Sequence, residues 1–214
     1  MKSLLLGIAA IILLGFGGLV YRNAVEHPLQ QIVCPLDAMI CPDGTSMPRI
    51  GDSCNFQACS APNVSLTDVG IAFAIPEGFI EGALPDAASV AAYETPPVEG
   101  SGGARLVIRR YAIAASSTAL ATIQGTAIGG ASGLPMSATS YSSTALGAHR
   151  FTVVSIERFE GIVDTAYYLA RGTDVLRFDA IDSGIMNWTD PNLDTSALPA
   201  NRALKKLLTT LKGV

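Results

Sequence analysis

A chain of 214 residues with 14 basic and 18 acidic side chains, net charge −4, lacks the basic surface needed to grip a phosphate backbone, which excludes nucleic acid as a partner. The length suits one ordinary domain with appendages.

From Ser3 to Tyr21 the sequence is uncharged, SLLLGIAAIILLGFGGLVY. Nineteen residues at about 1.5 Å each reach roughly 28 Å, close to the hydrocarbon thickness of a bilayer. We expect residues 1–22 to be an N-terminal transmembrane signal anchor. Lys2 before the run and Arg22 after it set the N-terminus in the cytoplasm. The small residues Gly15 and Gly17 lie inside the apolar run, and the next small-residue option, near Ala24, sets Arg22 where a small residue belongs. The expected product is therefore an uncleaved, single-pass protein of the cell membrane, with a membrane-proximal linker at 23–33 and everything beyond it outside the cytoplasm.

All four cysteines follow within a short stretch, as Cys34-x6-Cys41-x12-Cys54-x4-Cys59. An even, clustered set just past a secretion signal reads as two disulfides in an oxidising compartment. Zinc ligands come in pairs two to four residues apart, and only Cys54 and Cys59 approach that spacing, so no metal is expected. A disulfide-rich module at 34–60 follows, because so few residues cannot offset their ordering entropy with a core and need crosslinks. Pro42-Asp43-Gly44 supplies turn chemistry. Of three possible pairings we favour the nested one, Cys41 with Cys54 and Cys34 with Cys59, which makes Thr45 to Gly51 an exposed hairpin tip. Met47-Pro48-Arg49-Ile50 is then a candidate protein-binding loop.

Cys34, the Cys41-Pro42-Asp43-Gly44 turn, Arg49 and Cys54-Asn55-Phe56 before Cys59 resemble a short four-cysteine module of uncharacterised bacterial envelope proteins. The order Cys, Asp-Gly, Cys-x-Phe also resembles Kazal-type protease inhibitors, although this chain has four cysteines where that family has six. The second resemblance implies an inhibitor that offers Arg49-Ile50 to a protease.

Beyond Ala61-Pro62-Asn63 the composition is that of a folded domain, taken as 64–214. Ile71 to Ile75 is a strand stopped by Pro76-Glu77-Gly78; Ser89 to Glu94 is a second, and Arg105 to Ile113 a third, in which Arg109 and Arg110 cannot both face the core. Ser117 to Ile128 reads as a short helix with Ser116 or Ser117 at its N-cap. Gly129 to Gly133 is a glycine-rich surface loop without the Gly-Lys-Ser/Thr of a phosphate cradle. Four strands at about 138–146, 149–158, 162–170 and 174–182 are spaced as consecutive hairpins. In the last, Leu176, Phe178 and Ala180 alternate with Arg177 and Asp179, which predicts one buried face and one wet face. Leu204, Leu207, Leu208 and Leu211 recur at helical spacing after Pro199, with Lys212 in the last turn and Gly213 just past the end, and should cover the sheet.

The fold class is thus α+β, an antiparallel sheet packed against a C-terminal helix, preceded by a transmembrane helix and a small disulfide-rich module. Phe73-Ala74-Ile75-Pro76-Glu77-Gly78-Phe79, Tyr167-Tyr168-Leu169, Leu176-Arg177-Phe178 and the closing Leu207-Leu208-Thr209-Thr210-Leu211-Lys212 resemble the PsbP-like fold of exported bacterial proteins. That resemblance implies a binding or assembly role rather than a chemistry.

Catalytic constellations are sparse. His27 lies near the membrane and His149 opens a strand; no serine has an evident base, and no hydrolase or metalloprotease motif occurs. Asp179 with Asp182, or Glu157 with Asp164, read as solvated carboxylates facing Arg158 and Arg177. We expect no catalytic residues and no cofactor. The expected function is a membrane-anchored extracytoplasmic interaction or assembly protein whose partner is another envelope protein. A protease inhibitor presenting Arg49-Ile50 is the alternative.

Overall fold

The structure, a computed structural model, describes residues 34–41, 46–51, 53–57, 59, 61–96, 102–130 and 133–213. The expected anchor at 1–22 and the linker at 23–33 lie outside the described residues. Among the described residues, no helix is long and apolar enough to cross a membrane. The chain divides into two compact units, one containing the described residues up to Ala38 together with Pro48–Gln57, the other Met39–Met47 with Ala58–Val214.

Strands β1 (Ala38–Ile40), β2 (Ser46–Ile50) and β3 (Asn55–Phe56) form a three-stranded sheet in that order. In the smaller unit Arg49 pairs with Phe56 and Ile50 with Asn55, and Cys34 is bonded to Cys54 with Cα atoms 5.3 Å apart. The larger unit holds the second bridge, Cys41–Cys59, at 5.6 Å. The bridges interlace, so the nested pairing is wrong. The reason lies in β2. Ser46–Ile50 is a paired strand instead of a hairpin tip, and the turn after it is closed by the Cys54 amide donating to the Gly51 carbonyl at 3.2 Å, with Cys54 itself at φ +49°. Cys54 therefore sits at the bend and reaches Cys34, leaving Cys41 to Cys59.

The larger unit is built on a seven-stranded sheet. Its strands are β6 (Ile80–Glu81), β7 (Ser89–Glu94), β8 (Ala104–Ala112), β9 (Tyr141–Leu146), β10 (His149–Phe159), β11 (Ile162–Ala170) and β12 (Asp174–Asp182). They lie in the order β6-β7-β8-β12-β11-β10-β9, every neighbour antiparallel. The expected hairpins account for β9 to β12, with Gly147 at φ +58° in the first turn and Glu160 and Gly161 at φ +49° and +78° in the second. Residues 138–140 form a 3-10 turn ahead of β9 rather than part of it. A separate two-stranded sheet, β4 (Val64–Leu66) with β5 (Ile71–Phe73), precedes the large sheet. It is held by Arg171, which clasps Asp174 through two nitrogens at 2.6 Å each and donates to the Val69 carbonyl at 2.7 Å.

Helix α1 (Ala119–Thr126) is shorter than the sequence suggests, and its N-cap is Thr118, whose hydroxyl accepts from the Ala121 amide at 3.1 Å. Helix α2 (Pro199–Thr209) carries the leucine stripe, with Leu204, Leu207 and Leu208 fully buried against Leu106, Ile108, Leu176, Phe178 and Tyr167. Each such leucine contributes about 1.5–3 kcal/mol of burial. The helix stops at Thr209, before Lys212, which instead exchanges both backbone hydrogen bonds with Ala72. Leu198, the residue preceding the helix, offers no capping side chain. Asp182 at the end of β12 fills the role from outside, accepting from the Ala200 amide at 2.7 Å, so an acceptor in the sheet satisfies a helix donor that would otherwise be orphaned.

Candidate functional site

Alternation along β8, β12 and β11 sorts side chains strictly between two faces. Leu106, Ile108, Tyr167, Leu169, Leu176, Phe178 and Ala180 meet α2. Arg109, Arg177, Asp179 and Asp164 point to the opposite face. That face is not wet, contrary to the sequence reading. Asp179 is fully buried, Arg177 and Asp164 are 7% and 8% exposed, and α1 covers the neighbouring Val154, Ala166, Tyr168 and Val175.

Cross-strand pairing sets Arg177 directly beside Arg109, a repulsive arrangement that Asp179 relieves. Its Oδ1 accepts from Arg177 Nε at 2.6 Å and its Oδ2 from Arg109. Arg109 also donates to Asp86 at 2.7 Å, and Arg177 to the Thr126 carbonyl at the end of α1, also at 2.7 Å. Asp164 stands 3.7 Å from Arg177, and its Oδ1 is buried without a hydrogen-bond partner. Burial and the nearby Asp179 charge push its pKa well above the ordinary aspartate value, with Arg177 and Arg109 pulling the other way. Burial opposes the charge on Arg177, yet Asp179, Tyr168 and Asp164 together outweigh it and the guanidinium is held above its ordinary range. Such groups persist inside a protein only when paired and hydrogen-bonded. Three of the four are joined by short hydrogen bonds and Asp164 by the longer ion pair to Arg177, which makes the cluster a tie between β8, β12, β11 and α1.

The four carboxylates singled out in the sequence are not one class. Asp179 and Asp164 belong to this cluster, and Asp182 caps α2 with its pKa raised by burial against the amides of Ala200 and Asn201. Glu157 lies opposite Asp164 on β10. Gly130 approaches it so closely that a Cβ there would meet its Oε2 at 2.3 Å, so a larger residue at that point of the loop would make the Glu157 side chain swing aside. Arg158, the expected partner, instead donates to the carbonyls of Trp188 and Asp190. His149 stacks edge-on against Phe151 at 6.4 Å. Among the described residues no three His, Cys, Asp or Glu side chains are grouped to hold a metal ion.

The candidate loop Met47-Pro48-Arg49-Ile50 lies in β2. Arg49 grips Asp37 through two nitrogens at 2.7 and 2.9 Å, donates to the Cys54 carbonyl at 3.0 Å and lies 3.9 Å over the Phe56 ring. The hydrogen bonds from Arg49 hold the Asp37 carboxyl below its usual range.

The larger unit contains a cleft of about 670 Å³. Its walls are the Cys41–Cys59 bridge, Ala61-Pro62, the β9–β10 turn at Gly147-Ala148, and Thr209 to Lys212 just past α2. The lining is mainly apolar, the usual character of a binding cleft. Close packing beside it is enforced by Gly147, where a Cβ would lie 2.7 Å from the Thr209 carbonyl oxygen. No sequence motif marks these residues, since they come from four separate stretches. The glycine of the turn was the one visible sign.

No family model and no curated protein matches this chain. A crystal structure from Bacteroides thetaiotaomicron shares 10% identity at a TM-score of 0.42, over 68% of this chain and 45% of the other. The chain thus spans less than half the length of that protein.

Proposed function

We propose that the protein is a membrane-anchored extracytoplasmic interaction or assembly protein whose larger unit receives an apolar side chain or short apolar segment of another envelope protein. The cleft bounded by the Cys41–Cys59 bridge carries this reading. Two disulfides support an oxidising compartment, and the uncharged run from Ser3 to Tyr21 supports the anchor. An antiparallel sheet closed by a C-terminal leucine-striped helix keeps the PsbP-like resemblance as our reading of the fold. A photoreactive phenylalanine at Ala148, on the cleft wall, tests the proposal in native cells. A discrete adduct of one mass should form there and not from the same probe at Gly172, in the β11–β12 turn. Identical labelling from both positions, or none from either, would remove the cleft as the binding site.

The protease-inhibitor alternative is the weaker one. Arg49 would have to release Asp37 and Phe56 before filling an acidic specificity pocket. Saturable trypsin inhibition that vanishes in Arg49→Ala would reverse the order of the two.

A further inference from the structure

The large sheet ends in two very different edges. At one end β6 is only two residues, and one of them is Glu81. Short, charged edges of this kind deter pairing with another chain. At the other end β9 is six residues, Tyr-Ser-Ser-Thr-Ala-Leu, with no charge, no proline and no bulge against β10. The stretch from Leu134 to Ala148 carries no charged residue at all. Ser142, Ser143 and Ala145 are exposed.

The turn decides which backbone groups are free. Leu146 and His149 flank the two-residue turn Gly147-Ala148 and face each other, so they form a hydrogen-bonded pair, and the alternation of an antiparallel ladder gives Thr144 and Ser142 the same inward role. The N–H and C=O groups of Tyr141, Ser143 and Ala145 therefore point outward. Among the described residues none of them has a backbone partner outside the sheet.

We infer that β9 is a dimerisation edge, and that its partner is β9 of a second copy of this chain, paired antiparallel about a two-fold axis at Ser143. In that register Ser143 faces the partner's Ser143 and Tyr141 faces the partner's Ala145. The three outward residues are thereby all used at once, each in a hydrogen-bonded pair. Opposite residues share a face, so Thr144 and Leu146, which lie on the α2 side with Phe151 and Val153, stay on that side in both copies. β9 brings no charge of its own to the seam. Arg150 of β10 donates to the Ser143 hydroxyl at 3.2 Å, so each copy holds a cation beside the axis on the sheet face, bound to a serine hydroxyl and open to solvent screening. A closed two-fold pair uses up the edge, whereas an open one would propagate. This inference is independent of the cleft, and either can fail alone.

The test uses the full chain purified in a non-ionic detergent. Light scattering should give a protein dimer. Under mild oxidation Ser143→Cys should be trapped as a disulfide-linked dimer, because opposite residues of a hydrogen-bonded antiparallel pair have Cα atoms about 5.5 Å apart, within disulfide reach. Ser142→Cys, displaced from the axis, should be trapped far less. Ser143→Pro removes an outward N–H and Ser143→Asp sets two carboxylates face to face; both should be monomeric with unchanged circular dichroism. A monomeric wild type, trapping that is equal at 142 and 143, or a dimer that survives Ser143→Asp overturns the proposal.

Discussion

The two faces of the large sheet are made by the same strands and are both buried, yet they are held in opposite ways. Against α2 the contacts are apolar and interchangeable in kind: Leu106, Ile108, Leu176 and Phe178 meet Leu204, Leu207 and Leu208. On the other face the centre of the sheet is ionic, with Asp179 between two arginines. Burial by itself therefore says little about what a position tolerates. An apolar contact degrades gradually as methylenes are removed, whereas a buried charge fails abruptly when its one partner goes.

The sharpest break on the apolar face is Leu208→Asp, which carries a charge into the fully buried stripe of α2. The expected cost exceeds about 4 kcal/mol and should leave the larger unit without a cooperative urea transition. On the ionic face Asp179→Ala should come next, at about 3–5 kcal/mol, because Arg177 and Arg109 then stand side by side with only the outlying Asp86 and the more distant Asp164 to offset them. Replacing Arg109, Arg177 and Asp179 together by apolar residues of similar volume should recover much of that loss. If the triple variant is as unstable as Asp179→Ala, the cluster does more than satisfy its own charges. Asp182→Ala, which orphans the Ala200 amide at the start of α2, should cost about 1–2 kcal/mol and lower the urea midpoint with no change in slope.

The smallest effect has the opposite sign. Asp164 binds its proton more tightly in the folded protein than in the unfolded chain. Its contribution is fully present below the unfolded value of about 3.9 and is lost as the pH rises through the folded pKa. Asp164→Asn should therefore raise the thermal midpoint at neutral pH and leave it nearly unchanged near about pH 4, as followed by circular dichroism. Equal stabilisation at both values would mean that something other than ionisation is being relieved.

Much of the scaffold was legible in the residues alone. Runs of alternating apolar residues separated by glycine turns placed β10, β11 and β12 within a residue or two, since strand and turn preferences act locally. The leucine spacing gave α2 its buried face for the same reason. The even cysteine count gave two disulfides. Which cysteine meets which was decided by the pairing of Arg49 with Phe56 and Ile50 with Asn55, a matter of register. The joining of β8 to β12 across more than sixty residues, which brings Arg109 to Asp179, likewise has no local signal. Arg177 and Asp179 read as solvent-facing because alternation tells that two faces differ, not that the second is uncovered; the covering α1 and the crossing arginine come from elsewhere in the chain. The cleft is the extreme case, four stretches brought together by the fold. Local chemistry determined the elements and one of their faces. Only tertiary structure decided the pairings, because the free energy of a buried ion pair or a disulfide depends on positions in space that neighbouring residues do not specify.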